Sequence, residues 1–344
     1  MKRREFLRNA GLLGAGAALV TGSAVAKANP KSAEDALTFC LFSDIHYYPG
    51  VFPHASHEWL QRILDRAVRE KAEFVIHLGD FTHRDKDTEA YVKLYNNFSL
   101  PTYHTIGNHE NDGRTYEQVL KAYGMKCGYY FFDRKGFRFI VLDPNYFKHG
   151  EAFVHYANGN YFKALREGAY GPALPPDQVK WLRETVESSP YPCVLMSHQS
   201  FERERDGVKN YQEVRDLINA ANRRHPGRVL LVMNGHYHTD NLRILDGVVY
   251  FDVNSANYQW VEHPHKLYPK ELLAKYSCAK HSVIYNDPIS AIVTLTRDGG
   301  IKIEGQKSTL FMGVTQEMTG NPRFDCMGRE TTAVIQSVDL KMRG

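Results

Sequence analysis

Two histidines one residue apart, His236 and His238, follow an apolar run and a glycine in the stretch Gly235-His236-Tyr237-His238. Imidazole is neither a good turn former nor a cheap core residue, so the spacing reads as chemistry. Comparable groups recur along the chain: Ser43-Asp44-Ile45-His46, Gly79-Asp80, Gly107-Asn108-His109-Glu110 and Ser197-His198. The seven residues Asp44, His46, Asp80, Asn108, His198, His236 and His238 offer carboxylate, amide oxygen and imidazole, with no thiolate among them. Such donors suit Zn, Fe or Mn better than a soft metal. They are too many for one four-coordinate ion and suit two ions sharing a bridging carboxylate, with water in the open positions.

The elements that must position these residues are legible as short apolar runs. They cover 37–42, 74–78, 101–106, 137–142, 192–196, 228–233 and 247–253, and their length and β-branched or aromatic content predict buried strands. Between them lie amphipathic segments. In 57–71, Leu60, Ile63, Leu64, Ala67 and Val68 share a helical face, and in 208–222 Tyr211, Val214, Leu217, Ile218 and Ala221 do likewise. Residues 177–186 form a third such segment. Hairpins are expected around Lys135-Gly136 and Asp298-Gly299-Gly300. Alternating strands and helices predict α/β layers. In such folds ligands bind outside the carboxyl ends of strands, which is where the candidate residues fall. The glycines before Asp80, Asn108 and His236 are expected to let the backbone turn sharply there.

The 344 residues are 43% hydrophobic and 24% charged, as in a globular protein with a sizeable core. The start differs: a basic MKRREFLRNA precedes the small, apolar stretch 11–26. That is too short for an ordinary membrane span and fits a signal peptide. Arg3-Arg4 followed by Phe6-Leu7 resembles the twin-arginine export signal, with cleavage after Ala26 or Ala28. Lys2, Arg3, Arg4 and Arg8 against Glu5 carry +3 of the formal +4, so the remainder is near neutrality. The basic balance therefore belongs to the address label and argues for no nucleic-acid partner. The organisation expected is a signal peptide at 1–28, one domain at 29–305 and an extension at 306–344 packing on the same domain. Residues 144–176 and 254–288 are read as insertions over the scaffold. Five cysteines without close spacing argue against a zinc knuckle or disulfide scaffold, with Cys40 and Cys193 as buried thiols.

Taken in order, Asp-x-His (44–46), Gly-Asp (79–80), Gly-Asn-His-Glu (107–110), the later His198 and Gly-His-x-His (235–238) resemble the calcineurin-like metallophosphoesterases over roughly residues 37–255. DQVKWLRETV followed by YPCVLMSH looks like the helix and strand before that family's lone histidine. The resemblance implies an α/β fold, a four-layer α/β/β/α sandwich of two mixed sheets flanked by helices, around a dinuclear metal centre. By motif position, Asp44, His46 and His238 would hold one ion, Asn108, His198 and His236 the other, and Asp80 would bridge them. His109 would be the transition-state histidine and no ligand. The purple acid phosphatases, a related branch, have tyrosine where His83 stands and glycine where His46 stands, so an iron–tyrosinate chromophore is not expected.

The expectation is an exported phosphoesterase that uses two divalent or trivalent ions (Mn, Fe or Zn). It would hydrolyse phosphate mono- or diesters by attack of a metal-bridging hydroxide. The alternatives are a nuclease or nucleotide phosphodiesterase, or a non-catalytic envelope binding protein. The expected partners are a small phosphorylated substrate and, during export to the periplasm or beyond, the twin-arginine translocase; no membrane span is expected in the mature form. His83 and Glu110 are placed close behind the site, and His77 and His104 in the core. His54, His57, His149, His155, His225, His263, His265 and His281 are read as surface or loop residues. The tyrosines 47, 48, 146, 156, 161, 170 and 258 are read as packing of the covering loops, with stacking on a nucleobase or aryl leaving group as the alternative.

Overall fold

The computed structural model describes residues 36–52, 56–83, 87–202, 206–261, 266–315, 317–319 and 332–342. The expected signal peptide lies outside the described residues, as do His54, His263, His265 and Cys326.

Strand and helix alternate through the first part: β1 (Leu37–Phe42), α1 (His57–Arg69), β2 (Val75–His77), α2 (Thr88–Asn96), β3 (Thr102–His104), α3 (Tyr116–Tyr123) and the hairpin β4 (Tyr130–Arg134) and β5 (Phe137–Val141). A small hairpin, β6 (Tyr146–His149) and β7 (Ala152–His155), and a short helix, α4 (Tyr161–Arg166), follow. Next come α5 (Pro176–Glu187), β8 (Cys193–Met196), α6 (Tyr211–Arg224), β9 (Val229–Asn234), β10 (Asn241–Leu245) and β11 (Val248–Asp252). The chain continues with β12 (Tyr258–Trp260), α7 (Lys270–Lys275), β13 (Ser282–Ile284), β14 (Ala291–Leu295), β15 (Gly300–Glu304) and β16 (Val338–Lys341).

Two mixed six-stranded sheets form, in the orders β16-β15-β14-β1-β2-β3 and β10-β11-β9-β8-β5-β4. The layering follows from side-chain alternation along each strand. In β1, Leu37, Phe39 and Leu41 enter the core shared with Phe137, Phe139 and Val141 of β5 and Val194 and Met196 of β8. Cys40 and Phe42 point the other way, onto Leu60 and Ile63 of α1, Tyr91 of α2 and Val119 of α3. Across the second sheet, Ile140, Cys193 and Leu195 pack on Leu182 of α5 and Leu217 and Ile218 of α6. The order helix, sheet, sheet, helix is thus written in period-two burial on both sheets.

Local signals set the helix ends. The Ser56 side chain caps α1 by accepting from the Trp59 amide, and Thr115 with Gln118 forms a capping box on α3. In α1 the expected face is right except at Val68, which is 51% exposed. At 100° per residue the buried arc runs from Leu64 through Ile63 to Trp59 and Arg66, and Val68 falls past its edge. Arg66 is buried because its guanidinium donates to the Ser290 and Glu304 carbonyls, at 2.6 and 2.7 Å. The stretch 144–176 is built of β6, β7 and α4 around Phe147, Tyr156 and Tyr161. The stretch 254–288 pairs β12 with β13 over a cluster containing Phe52, Tyr258 and Tyr268. Among the described residues, no helix is long and apolar enough to cross a membrane, and Cys40, Cys127, Cys193 and Cys278 are free.

Candidate metal centre

The parallel strands β1, β2 and β3 end side by side in the first sheet, and β5, β8, β9 and β11 do so in the second. Their carboxyl-end loops bring all seven candidate ligands together. Two donor groups result, each with its ligand atoms within 4.8 Å of one another: Asp44, His46 and His238, and Asp80, His198 and His236. The Asp80 Oδ2 atom faces both, 3.6 Å from His46 Nε2 and 3.1 Å from His198 Nε2. The Asn108 Oδ1 atom joins the second group, 3.2 Å from His198 Nε2. Asp44 Oδ1 lies 3.3 Å from His238 Nε2, and His236 Nδ1 lies 3.2 Å from His198 Nε2.

The backbone adopts costly conformations to achieve this. Asp44, His46, Asp80, His236 and His238 all have φ between +47° and +71°, a region non-glycine residues enter at a cost and mostly at functional sites. Neighbouring loops touch closely as well. At Gly79, with φ at +95°, a Cβ would stand 2.6 Å from His198 Nδ1 and 2.8 Å from the Gly107 nitrogen. At Gly235 a Cβ would overlap the Ser43 hydroxyl. Of the three glycines expected to allow sharp turns, Gly79 alone has positive φ; Gly107 and Gly235 serve by admitting a close approach between loops.

Hydrogen bonds behind the site fix which ring nitrogen faces inward. His198 Nδ1 lies 2.8 Å from the Leu78 carbonyl and His238 Nδ1 3.0 Å from the Tyr258 carbonyl. A carbonyl only accepts, so each Nδ1 carries the proton and each Nε2 presents a lone pair to the interior. At His198 that lone pair meets the oxygens of Asp80 and Asn108. Acceptor against acceptor at this distance is repulsive unless a cation, proton or metal, sits between them. Burial opposes a second proton on His198, but Asp80 and Asp44 outweigh it and lift the pKa to about 10. Burial and the neighbouring His198 push His236 down to about 3. One buried pocket therefore holds a ring that demands positive charge beside one that stays a neutral donor. The donor set fits a pair of cations.

His109 stands beside the ligands. Its amide donates to Asp80 Oδ1 at 2.9 Å, and its Nδ1 lies 2.7 Å from Asp112 Oδ2. His83 places Nε2 2.8 Å from His46 Nδ1 and packs its ring 4.2 Å from that of His109. His46, His83 and His109 form a further donor group, whose His46 ring already faces Asp44 and His238 with its other nitrogen. Glu110, fully buried, accepts from the amides of Asp80, Phe81 and Gly107 at 3.1, 2.5 and 2.8 Å. It ties the loop after β2 to the loop after β3.

Several neighbours escaped sequence reasoning. Asp143 and Asn145 follow β5 as the other polar groups follow their strands, so the strand-end pattern could have found them. Asp143 holds His155 at 3.1 Å, and His155 is buried rather than a surface histidine. Asn145 accepts from Gln199, next to His198, at 3.0 Å. Asp112 and the rings of Phe52 and Trp260 beside His46 carry no such signal, whereas Tyr258, read as packing of a covering loop, packs on the same ring.

Known proteins bear on this arrangement. The family model of the calcineurin-like phosphoesterases matches residues 37–240. A dimetal phosphatase from Danio rerio superposes with a TM-score of 0.55 at 15% identity, over 80% of this chain and 98% of that one. GAP50, the anchor in the inner membrane complex of Plasmodium, gives 0.49 at 14% identity over 90% of each chain. A structure of PhoD gives 0.47 at 13% identity over 89% of this chain and 68% of that one. At these identities the likeness is one of fold. No curated protein sequence matches the chain. A matched stretch that takes in the loops after β1, β2, β3, β8 and β9 places the chain in the calcineurin-like phosphoesterase family, as a metal-dependent phosphoester hydrolase.

Proposed function

We propose that the chain hydrolyses phosphate mono- or diesters at a dinuclear centre. Asp44, His46 and His238 would hold one ion, Asn108, His198 and His236 the other, and Asp80 would serve both. The observation that carries this reading is His198, whose Nδ1 donates to the Leu78 carbonyl while its Nε2 faces two oxygen acceptors in a buried pocket, a place that calls for a cation. When bound, the ions supply positive charge for the phosphoryl oxygens and a water acidic enough to attack near neutral pH. The chain's own residues do the rest. Asp80 keeps Oδ2 inward because the His109 amide occupies Oδ1. Asp112 occupies Nδ1 of His109, which leaves Nε2 to hold a proton for the departing alkoxide. Burial opposes charge on this ring, but Asp80 and the bond from Asp112 outweigh it and raise the pKa. That shift favours the protonated ring, the form able to give a proton to the departing oxygen.

Residues 1–28 act as a twin-arginine-type signal delivering the folded domain to the periplasm or beyond; Arg3-Arg4 before Phe6-Leu7 supports this. Lysine at both arginines should hold the protein in the cytoplasmic fraction.

The decisive assay is hydrolysis of p-nitrophenyl phosphate and bis-p-nitrophenyl phosphate, with and without Mn²⁺, alongside elemental analysis. Turnover that a chelator removes and Mn²⁺ restores is expected. Two bound ions with no turnover on either ester would leave a binding protein in place of an enzyme.

A further inference from the structure

Beside the ligand cluster opens a cleft of about 580 Å³, lined by Asn108 and His236 of the cluster and by residues of the 144–176 segment. That volume suits an organic group of nucleoside size. The wall is an aromatic ladder. Tyr156 and Tyr161 stack at 4.2 Å with 3° between their planes, and Tyr161 stacks on Phe162 at 4.3 Å with 26°. Packing accounts for the two tyrosines, which are buried, and the Tyr161 hydroxyl is tied to Asp112 Oδ1 at 2.9 Å. Packing does not account for Phe162. It is 49% exposed, lines the cleft, and lies 6.3 Å from the ring of His109. A large exposed ring costs free energy in water, and this one is stacked on the buried Tyr161.

We infer that Phe162 is the seat for a flat aromatic group on the alcohol side of the ester, so that the substrate's ring becomes the fourth in the ladder. This rests on the proposed hydrolysis at the neighbouring centre. The geometry gives the reason: His109 is placed to serve the leaving oxygen, and Phe162 adjoins His109. An ester whose phosphoryl group sits on the ligand cluster would extend its alcohol along this wall. Preorganised stacking of this kind is worth roughly 5- to 150-fold per ring. Arg166, exposed on the same cleft wall, adds positive charge at the rim.

The test compares kcat/KM within matched pairs on the Mn²⁺-loaded full chain: adenosine 5′-phosphate against ribose 5-phosphate, and benzyl phosphate against cyclohexylmethyl phosphate. The methyl diesters of each serve if the enzyme prefers diesters. The aromatic member should win by roughly 5- to 150-fold. Phe162→Ala should collapse the ratio towards one, and Phe162→Tyr should keep it. Preference in the first pair alone names a nucleobase; preference in both names any flat ring. Discrimination in neither pair, or discrimination that survives Phe162→Ala, overturns the seat and leaves the hydrolase reading standing. Should nothing be hydrolysed with both metals bound, the hydrolase reading fails and binding decides the seat. Adenosine titrated calorimetrically into wild type and Phe162→Ala must then differ in affinity, and equal affinities or absent binding overturn it.

Discussion

Asp80 divides its two oxygens between two tasks: Oδ1 takes the His109 amide at 2.9 Å while Oδ2 looks into the donor cluster. A neutral amide in its place would turn an NH2 or a weaker oxygen towards the cations. Asp80→Asn is therefore expected to bind fewer than two ions per chain by elemental analysis. His109→Ala removes no proposed ligand and should keep both ions. It should lose roughly 10²- to 10⁴-fold in turnover on esters with poor leaving groups and less on p-nitrophenyl phosphate. Metal loss in that variant would show that the ring is a ligand. The seven candidate ligands were legible because each sits within a few residues of a strand end, a feature of one-dimensional order. Asp112 was not, because its role arises from a 3₁₀ turn that folds it back onto His109. Phe162 was not, because its exposure depends on which face of a six-residue helix the buried Tyr161 occupies.

Between elements, Glu110 and the β2–β3 pair carry the mechanical connections. Glu110 satisfies three buried amides from two loops, and burial followed by the Asp80 charge raises its pKa to about 7. Glutamine offers one acceptor oxygen where the carboxylate has two, and its NH2 would oppose an amide donor. Glu110→Gln should thus cost about 1–3 kcal/mol in denaturant unfolding and weaken metal binding. An unchanged midpoint would mean the loops are held by other contacts. Further along the same strands runs a directed chain. The Gly79 amide donates to His77 Nδ1 at 3.1 Å, His77 Nε2 meets His104 Nδ1 at 2.7 Å, and His104 Nε2 meets Asn96 Oδ1 at 2.6 Å. The chain works only with both rings neutral, and burial holds His104 down at about 3. The unfolded chain takes up a proton near pH 6.5 and the folded one does not. Stability from this site is therefore whole above pH 6.5 and lost as the pH falls towards 3, on the order of 2 kcal/mol by pH 5. Unfolding at pH 7.5 and pH 5 should show a steeper loss for wild type than for His104→Gln; equal losses would refute the argument. The strands and three main helices of this scaffold were readable from period and length. Helices α2 and α3 and the strand β10 were not, since short mixed sequences declare their state only once packed.

At the scale of the molecule, the two sheets share one core while their carboxyl-end loops share one cluster, so the cluster bridges the halves. The strands of each sheet could be inferred from alternation, but which loop meets which required the resemblance to a known family, because spacing in sequence says nothing about approach in space. That bridge is formed at a cost. Five residues with positive φ, at a cost of about 1–2 kcal/mol each, surround inward-facing lone pairs and carboxylates. Ions that bind the folded chain and not the unfolded one repay this as RT ln(1 + [L]/Kd), about 2.7 kcal/mol per site at a hundredfold excess over Kd. For a domain of this size that corresponds to roughly 5 °C or more in Tm. Chelation should therefore lower the melting temperature, and titrated Mn²⁺ or Zn²⁺ should restore it in a concentration-dependent way. Asp80→Asn, lacking the group between the two clusters and binding fewer ions, should show a smaller rise in Tm on added metal than wild type does. A wild-type Tm indifferent to both chelator and metal would mean that the cluster closes on itself through protons alone, with the imidazolium of His198 as the only cation the fold requires.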